Sequence, residues 1–124
     1  MILRQRLEGF KLGRCCTLLG VGPMSKNCVD ASIELAEQYK TPLMLIASRR
    51  QIDSEQFGGG YVENWTTKQF ADYVIEKDIN QNIIIARDHG GPWQNELEKS
   101  QSMNLKDAMQ SAKDSYRADI DAGF

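Results

Sequence analysis

Three short aliphatic runs, each followed by a stretch with helical spacing, constrain this chain's fold more than any other feature. Cys16 to Val21 reads as a first strand, closed by Gly22-Pro23. Leu43-Met44-Leu45-Ile46 reads as a second, set off from what precedes it by Thr41-Pro42. Ile83 to Arg87 is a third, and its three consecutive isoleucines suit a strand buried on both faces of a parallel sheet. Between the runs the period changes from two to 3.6. Ser25 can cap a helix through Tyr39 with Val29, Ile33 and Ala36 on one face, and Thr66 or Thr67 can cap another that aligns Phe70, Tyr73, Val74 and the Lys77 stem. A last helix aligns Leu105, Ala108, Met109, Ala112, Tyr116 and Ile120, and Gly123 can end it. The order β-α-β-α-β-α predicts an α/β fold with a parallel sheet.

The connections are unequal. Helix-to-strand links are tight, Lys40-Thr41 and Asp78 to Gln81, whereas strand-to-helix links run from Ser48 to Trp65 and from His89 to about Met103. Loops beyond about 12 residues are uncommon unless they carry function or disorder. Both long ones leave the carboxyl end of the sheet, where α/β proteins bind ligands.

Size sharpens the expectation. A (β/α)8 barrel needs about 250 residues, and three βα units in 124 residues match the spacing of such a barrel before its midpoint. The chain therefore reads as residues 1–124 of a single, partial TIM-barrel domain, cut before a fourth strand. A small free-standing α/β ligand-binding domain is the alternative. Met1 to Gly13 can add a short amphipathic helix through Ile2, Leu3, Leu7 and Phe10.

Net charge of −2 and a pI near 5.4 leave no electrostatic footprint for nucleic acid or an anionic membrane. Arg4, Arg6, Lys11 and Arg14 read as a solvated helix face or lead-in. No apolar run approaches the roughly 18 residues of a membrane span, and no signal peptide is visible. Three cysteines, Cys15 and Cys16 adjacent and Cys28 in a helical pattern, give neither a disulfide framework nor metal spacing. Reduced, buried thiols in a cytoplasmic compartment fit.

Three constellations could carry chemistry. Asp88-His89, followed by Gly90-Gly91-Pro92, sits where the third strand must end. A carboxyl there suits general acid–base work and an imidazole can ligate zinc, although one histidine is short of the three or four protein ligands zinc takes. An exposed strand-end pair is the competing reading. Phe57-Gly58-Gly59-Gly60-Tyr61 lets backbone approach a ligand through Gly58 and Gly59, or is simply a flexible turn between aromatic anchors. Arg49 and Arg50, just past the second strand, could meet phosphate bidentately, or be exposed loop arginines.

These motifs resemble a known family. Ala47-Ser48, Gln51, Gln56-Phe57-Gly58-Gly59-Gly60-Tyr61, Trp65-Thr66, Phe70, Asp88-His89-Gly90-Gly91-Pro92 and Ala122-Gly123-Phe124 are similar in order and spacing to the class II D-tagatose-1,6-bisphosphate aldolase accessory family, the non-catalytic subunit of a two-component aldolase. The likeness runs from about Leu12 to Phe124. It implies a TIM barrel, a phosphorylated sugar as ligand, and a catalytic aldolase subunit or a second copy as partner. Through the related catalytic class II aldolases it assigns Asp88 as acid–base residue and His89 as one of three zinc ligands. Arg49, Arg50, Gln51, Gly58 and Gly59 are the candidate substrate-binding residues, with Arg49-Arg50 and the third glycine departing from the family's pattern. Zinc is then expected in a complete barrel and not for this chain alone. A catalytic zinc-dependent ketose-bisphosphate aldolase is the alternative role.

Overall fold

The structure, a computed structural model, describes residues 2–124, with side chains from Arg4 onward. What the sequence suggests for Met1 and for the Ile2 and Leu3 side chains lies outside the described residues. The order is α1 (Ile2–Lys11), β1 (Leu19–Val21), α2 (Lys26–Tyr39), β2 (Leu43–Ser48), a 3-10 turn (Glu55–Phe57), α3 (Thr67–Lys77), β3 (Ile83–Asp88), α4 (Glu96–Ser100) and α5 (Leu105–Ala122). The strands form one parallel sheet in the order β1-β2-β3.

Local chemistry explains the boundaries. Ser25 accepts a hydrogen bond from the Cys28 amide at the start of α2. Thr66 and Gln69 form a reciprocal capping box on α3. Gly123 ends α5 in the left-handed conformation. Strand β2 alternates strictly: Leu43, Leu45 and Ala47 are buried while Met44, Ile46 and Ser48 are half-buried. Its buried face meets Val29 and Ile33 of α2, Phe70 and Val74 of α3, and Ile52 and Val62 from the β2–α3 loop. Burying each such aliphatic or aromatic side chain contributes roughly 1.5–3 kcal/mol.

Four expectations need correction. β1 spans three residues and begins at Leu19 rather than Cys16; at a sheet edge, Leu19 is 58% exposed. β3 is half-buried along its whole length rather than covered on both faces, because it too lies at an edge. The thiols are free but not buried, Cys15 being exposed and Cys16 and Cys28 intermediate. On α5, Leu105, Met109, Tyr116 and Ile120 face solvent, and the buried face is Ala108, Ser111, Ala112, Ser115 and Asp119. That helix is turned so that small and polar side chains meet the charged groups beneath it.

Helix α1 forms where its pattern predicts, but Leu7 and Phe10 stay exposed. The second long loop holds α4, which the sequence reading leaves as loop. No helix among the described residues is long and apolar enough to cross a membrane.

Candidate functional site

The register places Ser48 directly beside Asp88 at the carboxyl ends of β2 and β3. A cavity of about 570 Å³ opens there, lined by Gly22 and Met24 after β1, by Ile46, Ser48, Arg50, Gln51 and Tyr61, and by Asp88 and His89. All three strand ends therefore contribute. The Gln51 side chain is held in place because its Oε1 accepts from the Ser48 amide at 2.8 Å while its amide nitrogen lies 3.2 Å from the Met24 sulfur.

Asp88 and His89 are both open to solvent, and His89 Nε2 lies 3.6 Å from Asp88 Oδ2. That distance is beyond a hydrogen bond, so the carboxylate and imidazole are free to engage a ligand. His89 has φ of +46°, the left-handed region that β-branched and bulky residues avoid. The turn it makes aims the chain out of the ladder immediately after Asp88. Gly90 follows under tight constraint, since a Cβ there would collide with the Tyr116 ring and with Arg87 Cγ.

Arg50 is half-exposed on the same rim, and its guanidinium reaches Glu96 at 2.8 Å. Arg49 turns the other way. It is fully buried, with Nε on Asp53 at 3.0 Å and Nη1 on Glu98 at 2.6 Å. Of the two arginines that adjacency in sequence suggests as a pair, only Arg50 therefore reaches the Asp88–His89 cavity.

The glycine run also divides. Gly58 and Gly59 adopt φ of +80° and +74°, but neither lines the Asp88–His89 cavity. Gly59 and Gly60 are the sterically constrained members, because a Cβ on Gly59 would strike the Asn64 and Trp65 carbonyls and one on Gly60 would fall inside the Gln51 carbonyl. The loop is laid against the exit of β2, with the Tyr61 amide donating to the Arg50 carbonyl at 2.9 Å and the Val62 amide to the Gln51 carbonyl at 3.1 Å. Its role at the cavity is to deliver Tyr61. Among the proposed site residues, Arg50, Gln51, Asp88 and His89 come together here, Arg49, Arg50 and Gly59 line a neighbouring cavity of about 340 Å³, and Gly58 lines neither.

Met24, Ser48 and Tyr61 join the cavity without having been singled out as site residues. Ser48 was legible as the start of the long loop after the second apolar run, and Tyr61 as the end of the glycine motif; Met24 carries no signal. For zinc, the cavity supplies one imidazole and one neighbouring carboxylate, fewer than the three protein ligands of a catalytic site. Among the described residues no three His, Cys, Asp or Glu side chains come together as a metal group. These residues do not by themselves fit zinc, and any further ligand would come from outside them.

No family model matches the chain. Among solved structures, the fold is similar to that of a probable tagatose 6 phosphate kinase from Sinorhizobium meliloti 1021, with a TM-score of 0.59 and 23% sequence identity over 77% of this chain. The match covers 24% of that protein, so the chain spans about a quarter of its length. At this identity the likeness establishes the α/β fold alone.

Proposed function

We propose that these residues form the first βα units of a TIM barrel that binds a phosphorylated ketose, in the manner of the accessory subunit of a class II tagatose-bisphosphate aldolase. The observation that carries the reading is the convergence of Ser48, Arg50, Gln51, Asp88 and His89 on one cavity at the carboxyl end of a parallel sheet. That composition suits a sugar phosphate: an exposed guanidinium for the phosphoryl group, and amide, hydroxyl and carboxylate groups for sugar hydroxyls. The motif resemblance and the structural likeness to a probable tagatose 6 phosphate kinase support the same substrate class.

In the accessory role the site binds ligand and a catalytic aldolase subunit supplies the turnover. In the alternative role, with zinc ligands added from outside these residues, Asp88 would move the proton while zinc polarised the ketose carbonyl. The exposed Asp88–His89 pair keeps that alternative open.

Titrating tagatose 6-phosphate into the protein, with inorganic phosphate as comparison, tests the reading. A charge-assisted contact of about 1.5–3 kcal/mol from Arg50 predicts a loss of roughly tenfold to a hundredfold in affinity for Arg50→Ala. Saturable binding that Arg50→Ala and Asp88→Asn both weaken supports the assignment. No binding at millimolar ligand, or binding indifferent to both changes, removes it. Adding the protein to a class II aldolase then separates the roles: enhanced partner activity marks the accessory subunit.

A further inference from the structure

Beneath the cavity lies a charged cluster that the ligand reading does not use. Arg49, Asp53 and Glu98 are each fully buried, and together they carry one positive and two negative charges. Arg49 is the hub. Besides its two carboxylates, it donates from Nη1 to the Gly91 carbonyl at 3.2 Å and from Nη2 to Ser111 Oγ at 3.1 Å. Glu98 accepts from the Trp93 amide and from the Ser111 hydroxyl. Asp53 accepts from Asn95 Nδ2 at 2.9 Å, from Ser115 Oγ at 2.7 Å and from the Ser54 amide at 2.8 Å.

The topology of those contacts matters more than their number. Asp53 belongs to the loop after β2, Gly91 and Trp93 to the loop after β3, Glu98 to α4 and Ser111 to α5. Arg49 stands one residue from Ser48 and Arg50, and Gly91 two residues from His89; all three of those neighbours line the cavity. Beyond the β2–β3 ladder, which ends at Ser48 and Asp88, the Arg49 guanidinium ties the loop that carries Gln51 to the turn that follows His89. Buried ion clusters are often no more stabilising than apolar side chains of the same volume, so stability alone does not account for three desolvated charges here. The left-handed backbone at His89 also requires surroundings that determine it, and the anchored Gly91 carbonyl and Trp93 amide supply them.

We infer that Arg49, braced by Glu98, is a positioning residue that sets the orientation of His89 toward the cavity. The inference rests on the reading of that cavity as a ligand site, but its test does not need the ligand. His89 is the only histidine, so its imidazole protons give one isolated set of signals in a proton NMR spectrum of the full chain.

Three variants decide the matter, each first shown to be folded by its dispersed amide spectrum. Arg49→Lys keeps the charge but replaces a branched fork by one nitrogen. Glu98→Gln is isosteric and carries the test if Arg49→Lys does not fold. Ser115→Ala removes a contact to Asp53 within the same cluster while leaving the Arg49–Gly91 link intact. The expected result is displaced and broadened His89 signals in Arg49→Lys and Glu98→Gln, with Ser115→Ala matching wild type. Unmoved His89 signals in folded Glu98→Gln overturn the proposal, and so does an equal displacement in Ser115→Ala, which would mark general loosening. Displaced signals together with failure to bind tagatose 6-phosphate would leave Arg49 as the positioning residue and remove only the sugar-phosphate assignment.

Discussion

Arg87, near the end of β3, grips Asp119 of α5 with two parallel contacts, Nη2 to Oδ1 at 2.5 Å and Nε to Oδ2 at 2.8 Å. Both side chains are 4% exposed. The same guanidinium donates to the Ala47 and Ile52 carbonyls at 3.1 and 2.6 Å, and it lies 5.2 Å from the centre of the Phe124 ring. One side chain therefore joins the last helix to the ends of two strands. Removing only the carboxylate leaves a buried, uncompensated cation, so Asp119→Ala should cost about 3–5 kcal/mol in urea denaturation, and Asp119→Asn less. A loss within the roughly 1 kcal/mol typical of exposed pairs would refute this account of the contact.

The glycine run offers a paired test. Gly60→Ala forces its Cβ into the Gln51 backbone, which cannot move without disturbing the cavity rim, and should cost about 1–3 kcal/mol. Gly58→Ala meets nothing within 4 Å, and its only penalty is a left-handed φ of about 1–2 kcal/mol. Hydrogen exchange at Tyr61 and Val62 distinguishes them: both amides should lose protection in Gly60→Ala and keep it in Gly58→Ala.

Acid should loosen the contact between α2 and α3. Asp30 is held below the usual carboxylate value of 3.8 by the Lys77 ammonium at 2.7 Å and then by the Tyr73 hydroxyl at 2.5 Å. A depressed folded-state value means the stabilisation is complete above the unfolded value and disappears as pH falls through the folded one. The stability gap between wild type and Asp30→Asn should thus stay constant from neutral pH down to the ordinary aspartate range and close below it. A gap that persists in strong acid would place the Asp30 contribution in packing instead.

Asp88→Asn should separate function from folding. The side chain is 45% exposed and has no buried partner, so the change should alter stability by no more than about 0.5 kcal/mol. Sugar-phosphate affinity should fall all the same. In the accessory role a partner aldolase keeps most of its activity with this variant, and in the catalytic role the complete enzyme loses its own. Unaltered turnover by a catalytically competent Asp88→Asn protein would end any acid–base assignment for this residue.

The free side of β3 should be adhesive. Val74, Ile75, Ile79, Ile83, Ile84, Ile85 and Phe124 line an apolar cavity of about 770 Å³ there, beside a strand that has no hydrogen-bonded neighbour on that side among the described residues. We expect dye binding and concentration-dependent association, both reduced by Ile79→Lys, since Ile79 is 85% exposed. Light scattering that shows a monomer at all concentrations would contradict this.

The fold was readable where local signals and burial agreed. Ser25, Thr66 and Gly123 announced helix ends through capping chemistry, and Val29, Ile33, Ala36, Phe70 and Val74 are buried as their spacing indicates. The reading failed on α5, because apolar spacing cannot reveal that a helix faces Arg49, Asp53 and Arg87 and must present serines and an aspartate to them. It failed likewise on Arg49. Adjacent loop arginines look equivalent in sequence, and which one turns inward depends on Glu98, 49 positions away, and Asp53 being brought to it. Asp88 and His89 were legible because a strand end and two glycines mark them locally.

The left-handed turn at His89 sets the backbone's preference against the side chain it carries. Glycine adopts that conformation without strain, whereas a histidine pays a conformational penalty there. On stability alone, then, glycine is favoured over an imidazole at position 89, and His89→Gly should keep the turn while emptying the cavity of its one ring nitrogen pair.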